Sequence, residues 1–140
     1  MAATSAKARG SIIERFSEAY GKGQSRAELL IERAVIGANV GCRGYTSLAQ
    51  ADELAERLDL RRGSRLLDIG AGRGWPGLYL TKKTGCEVVL ADPAAPGLQA
   101  ALQSARRQRL GRRSWLVVAS ATALPFAPGV FDAVIHADVL

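Results

Sequence analysis

At 140 residues the chain is one domain at most, long enough to bury roughly two-thirds of its unfolded surface. Hydrophobic residues make up 48% and charged residues 23%, a globular balance, and no apolar run approaches the roughly 20 residues that cross a bilayer, so no membrane partner is expected. The net charge of +6 is most concentrated at Arg106, Arg107, Arg109, Arg112 and Arg113, with no interleaved aromatics, so it reads as a wet helix end rather than a nucleic-acid surface.

The N-terminal stretch MAATSAKARGS has no apolar core of a secretory signal, which makes a cytoplasmic protein the expectation. Ser11 and Glu14 have capping-box spacing, and Ile12, Ile13, Phe16 and Tyr20 share one helical face. Gly21 and Gly23 punctuate the chain, and Ser25 and Glu28 open a second helix carrying Leu29, Leu30 and Ala34 that fades at Gly37 and Gly41. A third helix opens near Ser47, with Gln50 as its capping partner; Leu48, Ala51, Leu54, Ala55 and Leu58 form its apolar face.

Beyond the turn at Arg61-Arg62-Gly63 the pattern changes to short apolar runs alternating with helical stretches. Strands are expected at Arg65–Ile69, Cys86–Ala91, Trp115–Ala119 and Phe131–Ala137, with helices near Trp75–Lys83, stopped by Gly85, and Gly97–Leu110. Continuous apolar strands spaced by helices indicate right-handed βαβ units, hence a doubly wound Rossmann-like α/β fold with a parallel sheet covered on both faces. The chain divides into a helical segment, 1–60, covering the site, and a core, 61–140. Cys86 reads as a buried structural cysteine. With Cys42 44 positions away and a single histidine in the chain, neither a metal framework nor a disulfide scaffold is expected.

The first strand runs into Gly70, Gly72, Gly74 and Gly77, then into a helix whose free amides favour a negative group. Asp92 closes the second strand 20 residues after Gly72, where an acid can accept hydrogen bonds from both ribose hydroxyls of a nucleoside. Two cofactor classes fit that arrangement. A pyrophosphate, as in nicotinamide dehydrogenases, would be repelled by Asp68, two positions before Gly70. The ammonium and sulfonium of S-adenosylmethionine would be favoured by it.

Leu66-Leu67-Asp68-Ile69-Gly70-Ala71-Gly72-Arg73-Gly74 resembles the first motif of class I S-adenosylmethionine-dependent methyltransferases. Ala121-Thr122-Ala123-Leu124-Pro125-Phe126 with Phe131-Asp132-Ala133-Val134 resembles a later stretch of their small-molecule branch, which includes quinone-biosynthesis and sterol-type enzymes. The resemblance covers roughly residues 66–140. It implies that Gly70, Ala71, Gly72 and Gly74 surround the methionine moiety and that Asp68 organises its ammonium end. It further implies that Asp92 holds the ribose and that Pro93, Ala94 and Ala121 line the adenine. Ser120 stands where the family commonly has an acid for the adenine amino group, so that hydrogen bond would lack charge assistance. Ala137 would offer backbone to the methionine amino group, and Tyr45 would lie over the cofactor unless it is a packed loop tyrosine.

His136 and Asp138, at the end of the fourth strand, are candidate general bases for a small-molecule acceptor, against packing for the first and a turn cap for the second. Trp75 either walls the site or packs beneath the loop. The family resemblance also implies seven strands ordered 3-2-1-4-5-7-6, of which only the 3-2-1-4 half is represented. The expectation is therefore a truncated product or fragment with an exposed fourth-strand edge of Val134, Ile135, Val139 and Leu140, through which two copies could pair. A non-catalytic binder that retains the cofactor fold is the alternative to a methyltransferase; a nicotinamide dehydrogenase and an RNA methyltransferase rank below both.

Overall fold

The computed structural model describes residues 2–137. Its elements are α1 (Ala2–Gly21), α2 (Arg26–Ile36), α3 (Leu48–Arg57), β1 (Arg65–Ile69), α4 (Gly77–Thr84), β2 (Glu87–Asp92), α5 (Ala95–Arg107), β3 (Ser114–Val118) and β4 (Ala133–His136). All pairings are parallel and the sheet order is β3-β2-β1-β4, the Rossmann-like arrangement expected. Leu67 lies beside Val89 on one side and Val134 on the other.

Leu66, Val88, Leu90, Ala133 and Ile135 share a single core with Leu78 and Leu80 of α4 and Leu98, Ala101 and Ala105 of α5. Both helices therefore cover the same sheet face. Among the described residues the opposite face is not covered by helices, a departure from the double covering expected, and there Trp115 and Val134 are 46% and 52% exposed. β4 is an edge of this sheet, but Ile135 is buried on the helical side instead of lying open with Val134. Val139 and Leu140 lie outside the described residues.

Helix ends follow their chemistry. Ser25 and Ser47 accept from the amides of Glu28 and Gln50, whose side chains accept in return from the cap amides, completing two capping boxes. Ser11 does not cap a helix: α1 starts at Ala2 and runs through it, extended by good helix formers such as Ala and Lys. α4 starts two residues later than expected because Trp75 precedes a proline, which disfavours helical backbone at that residue, and Pro76 becomes the N-cap.

The link between α2 and α3 is held by Glu32, which is buried. Its carboxylate accepts from the amides of Val40 (3.2 Å) and Cys42 (2.9 Å) and from the Gln24 side chain (3.2 Å). Trp75, with Ile36 and Ala51, forms a small second core against this link, and its indole donates to the Thr46 carbonyl at 2.8 Å. Glu32→Ala would leave these donors without an acceptor, and a loss of about 2–4 kcal/mol is expected in urea unfolding.

Candidate functional site

The strand order reverses at β1, whose neighbours β2 and β4 run off in opposite directions, and ligands of open α/β sheets bind beyond the strand ends at such a point. The loop leaving β1 lies there. The Gly70 and Ala71 amides both donate to the Ala91 carbonyl (2.8 and 3.2 Å), fastening the loop to β2. Gly72 has φ +50° and Gly74 φ +92°, left-handed values that disfavour a side chain, and at Gly74 an added Cβ would stand 2.7 Å from Leu78.

Asp92 and Asp68 support this loop in different ways. The Asp92 carboxylate accepts from the Gly72 amide at 2.9 Å and the Ala94 amide at 2.7 Å. Burial raises its pKa, while those two hydrogen bonds act in the opposite sense. Asp68 is 1% exposed and lies beneath the loop, away from the surface of the cleft. One oxygen accepts from the Gly77 amide at 3.1 Å, acting as the N-cap that α4 otherwise lacks, and the other has no hydrogen-bond partner. Burial pushes its pKa up to about 8, against the lowering effect of the Gly77 amide, and the charge of Asp92 adds to the rise. A neutral Asp68 supports the helix start better than it attracts an ammonium.

The cleft over the loop is lined by Phe16, Tyr20, Cys42, Arg43, Gly44, Gly70, Ala71, Gly72, Arg73, Trp75 and Ala137. Gly70 and Gly72 thus meet Ala137 at one place, whereas Gly74 lines a different cavity, and Trp75 walls the cleft while packing with Ile36 and Ala51 against the α2–α3 link. Tyr45 does not join them: it is 76% exposed and lines a neighbouring cavity against α2, with which the cleft shares Cys42, Arg43 and Gly44. Pro93 follows Asp92 and is half-buried. The Ser120 hydroxyl pairs with that of Thr122 at 3.0 Å and accepts from the Thr122 amide at 3.3 Å, closing a local turn, and Ala121 beside it is exposed. His136 is exposed, on the same sheet face as Val134 and not on the cleft wall, so its side chain is not in helix packing. Asp138 lies outside the described residues.

Tyr20, Arg43 and Arg73 are cleft residues that sequence reasoning did not single out for the site. Tyr20 was visible only as part of an apolar helical face, and Arg73 only as a letter between two glycines. Arg73 donates to the carbonyls of Tyr20 (2.6 Å) and Lys22 (2.7 Å), and Arg43 to that of Ala19 (2.8 Å). Burial raises the pKa of the Tyr20 phenol, with the charge of Asp92 contributing and the two arginines opposing.

Tested against S-adenosylmethionine, the loop fits in kind. Glycines form the cradle, and a carboxylate stands at the end of the neighbouring strand. The space does not yet fit. About 50 Å³ is open over the loop, against the roughly 300 Å³ or more of a small-molecule pocket.

The raised pKa of Asp68 has a sign that can be measured. Its contribution to stability is fully present below about pH 4, near the unfolded value of 3.8, and is lost as the pH rises to about 8. Asp68→Asn keeps an acceptor for Gly77 without the charge. It is expected to melt above the unaltered protein at about pH 9, with the difference shrinking toward about pH 4 in parallel thermal scans.

A methyltransferase domain family matches residues 66–140. Methyltransferase GfsG of Streptomyces halstedii is 34% identical, over 91% of this chain and 49% of that protein. Sterol 24-C-methyltransferase of Candida albicans is 31% identical, over 62% of this chain and 25% of its own length. Among solved structures, geranyl diphosphate methyltransferase in complex with GPP and sinefungin aligns with a TM-score of 0.59 at 26% identity, covering 63% of this chain and 33% of that one. The chain spans about half the length of the first of these relatives and a quarter of the second. With a glycine cradle at the switch point of a 3-2-1-4 parallel sheet and this match along its whole second half, the chain belongs to the class I S-adenosylmethionine-dependent methyltransferase family.

Proposed function

We propose that this chain is the cofactor-binding part of a methyltransferase that acts on a small molecule. The observation that carries this reading is the meeting of Gly72 and Asp92 at the switch point, 2.9 Å apart through a hydrogen bond. When bound, S-adenosylmethionine supplies a methyl group already activated on a sulfonium. The chain's part is therefore to hold and orient, and proximity can account for much of the rate.

In this proposal Gly70, Ala71, Gly72 and Gly74 surround the methionine moiety, and the Ala137 backbone meets its amino group. Asp92 keeps its two amide partners and accepts from the ribose hydroxyls with the remaining lone pairs of its carboxylate. Pro93, Ala94 and Ala121 flank the adenine, and Ser120 accepts from its amino group once released from Thr122. Asp68 serves by keeping the start of α4 in place. Residues 1–60 cover the cofactor and 61–140 form its platform.

Relatives named for a sterol and for geranyl diphosphate support a small-molecule acceptor. His136, with Asp138 two residues on, would serve as general base where that acceptor is a hydroxyl or an amine. No helix among the described residues is long and apolar enough to cross a membrane.

Calorimetric titration with S-adenosylhomocysteine and, in parallel, NAD tests the cofactor reading: the first is expected to bind and the second not. Asp92→Asn is expected to weaken that binding about tenfold, the worth of a charge-assisted hydrogen bond. Binding of NAD instead would overturn the reading, and binding without turnover on any acceptor would favour a regulatory binder. The β4 edge is where a second copy would pair. A sedimentation coefficient that rises with concentration is expected on that view, and a strict monomer would remove it.

A further inference from the structure

α1 ends on arginines that belong to other parts of the chain. A helix leaves its last carbonyls without intrahelical partners, and cations there also complement its dipole. Here Arg43 donates to the Ala19 carbonyl, and Arg73, the residue between Gly72 and Gly74, donates to those of Tyr20 and Lys22. The glycine loop therefore supplies the C-cap of α1.

That cap sets Tyr20 directly on the loop. The Tyr20 hydroxyl lies 2.6 Å from where a Cβ on Gly72 would stand, and its ring lies 3.0 Å from the corresponding point on Gly97 at the start of α5. The space over Gly72 is thus taken by a side chain of the same protein, and about 50 Å³ remains in the cleft that Tyr20 helps to line. Gly21, the last residue of α1, and Gly23 have nothing within 4 Å of an added Cβ, and Gln24 is tied to Glu32 on the α2 side. The segment between them is the place where α1 can swing without disturbing α2.

We propose that Tyr20 and Arg73 form an autoinhibitory latch: Tyr20 occupies the cofactor cradle, Arg73 and Arg43 hold it there, and the cofactor enters only when α1 withdraws about Gly21–Gly23. The cofactor half of this statement rests on the function proposed above, whereas the latch itself is a property of the unliganded chain. Affinity is then reduced by the fraction of molecules that are open, so weakening the latch tightens binding. A tyrosine that merely contacted the cofactor would have the opposite effect when removed.

The test uses the full chain and its Tyr20→Ala, Tyr20→Phe and Arg73→Ala variants, with S-adenosylhomocysteine as the probe. Tyr20→Ala and Arg73→Ala are expected to bind it at least about fivefold more tightly than the unaltered chain, and Tyr20→Phe, which keeps the ring in the cradle, about equally. Unchanged or weaker binding by both alanine variants would overturn the latch.

Hydrogen exchange without ligand separates this failure from that of the cofactor reading. Arg73→Ala is expected to speed exchange at the amides of the last turn of α1 while those of β1 and β2 keep their protection. If no variant binds the probe, the cofactor reading fails and this exchange pattern alone decides the latch: faster exchange confined to α1 supports it, and unchanged exchange overturns it.

Discussion

The hydrogen bond from the Gly72 amide to the Asp92 carboxylate joins the turn after one strand to the tip of the next. β1 must leave the sheet and enter α4 within a few residues, through left-handed backbone at Gly70, Gly72 and Gly74. Such a turn exposes amides that need acceptors, and the neighbouring strand provides them: the Ala91 carbonyl for Gly70 and Ala71, the Asp92 carboxylate for Gly72. Asp68 completes the support from below by accepting from Gly77, packed so closely that a Cβ there would stand 2.6 Å from its oxygen. With the turn fixed by its neighbours, the upper surface of the loop is a rigid cradle at the point where the sheet diverges.

The N-terminal helices dock on that cradle as much as on the core. Glu32 gathers the link between α2 and α3, Trp75 fastens it through Thr46, and Arg73 and Arg43 collect the last carbonyls of α1. The contacts of Trp75, Arg73 and Arg43 each join a residue lining the cleft to a segment 24 or more positions away in sequence. The covering of the loop thus joins polar contacts to a small apolar core of Ile36, Ala51 and Trp75, while the sheet beneath is held by its own, larger apolar core.

Much of the architecture was legible in the sequence because it depends on local chemistry. Strand β1 was read to its residue limits from an apolar run bounded by turn residues, and the capping boxes at Ser25 and Ser47 from spacing alone. The left-handed stop at Gly85 followed from a glycine after a lysine-rich turn. Asp92 could be paired with the glycine loop because the βαβ geometry makes the end of β2 the neighbour of β1. The departures lie where one local signal is outweighed by others that a motif does not count. Ser11 has the spacing of a cap yet sits inside α1, whose helix formers carry the helix through it, and Tyr45 has the sequence position of a lid yet stands 76% exposed beside α2. Ser120 is occupied by Thr122 in a turn that motif comparison does not register.

The order of strands and helices, the glycine cradle, the acid beside it and the family are all legible in the residue order alone. Those features are written in periodicity, in the backbone freedom of glycine and in motif spacing, which act over a few residues. It takes the packed fold to bury Asp68 beneath the loop and raise its pKa, to turn His136 outward with Val134, and to rest Tyr20 on Gly72 under the hold of Arg73. Burial, orientation and a partner 53 residues away belong to the packing of elements against one another, for which a single stretch of sequence has no signal.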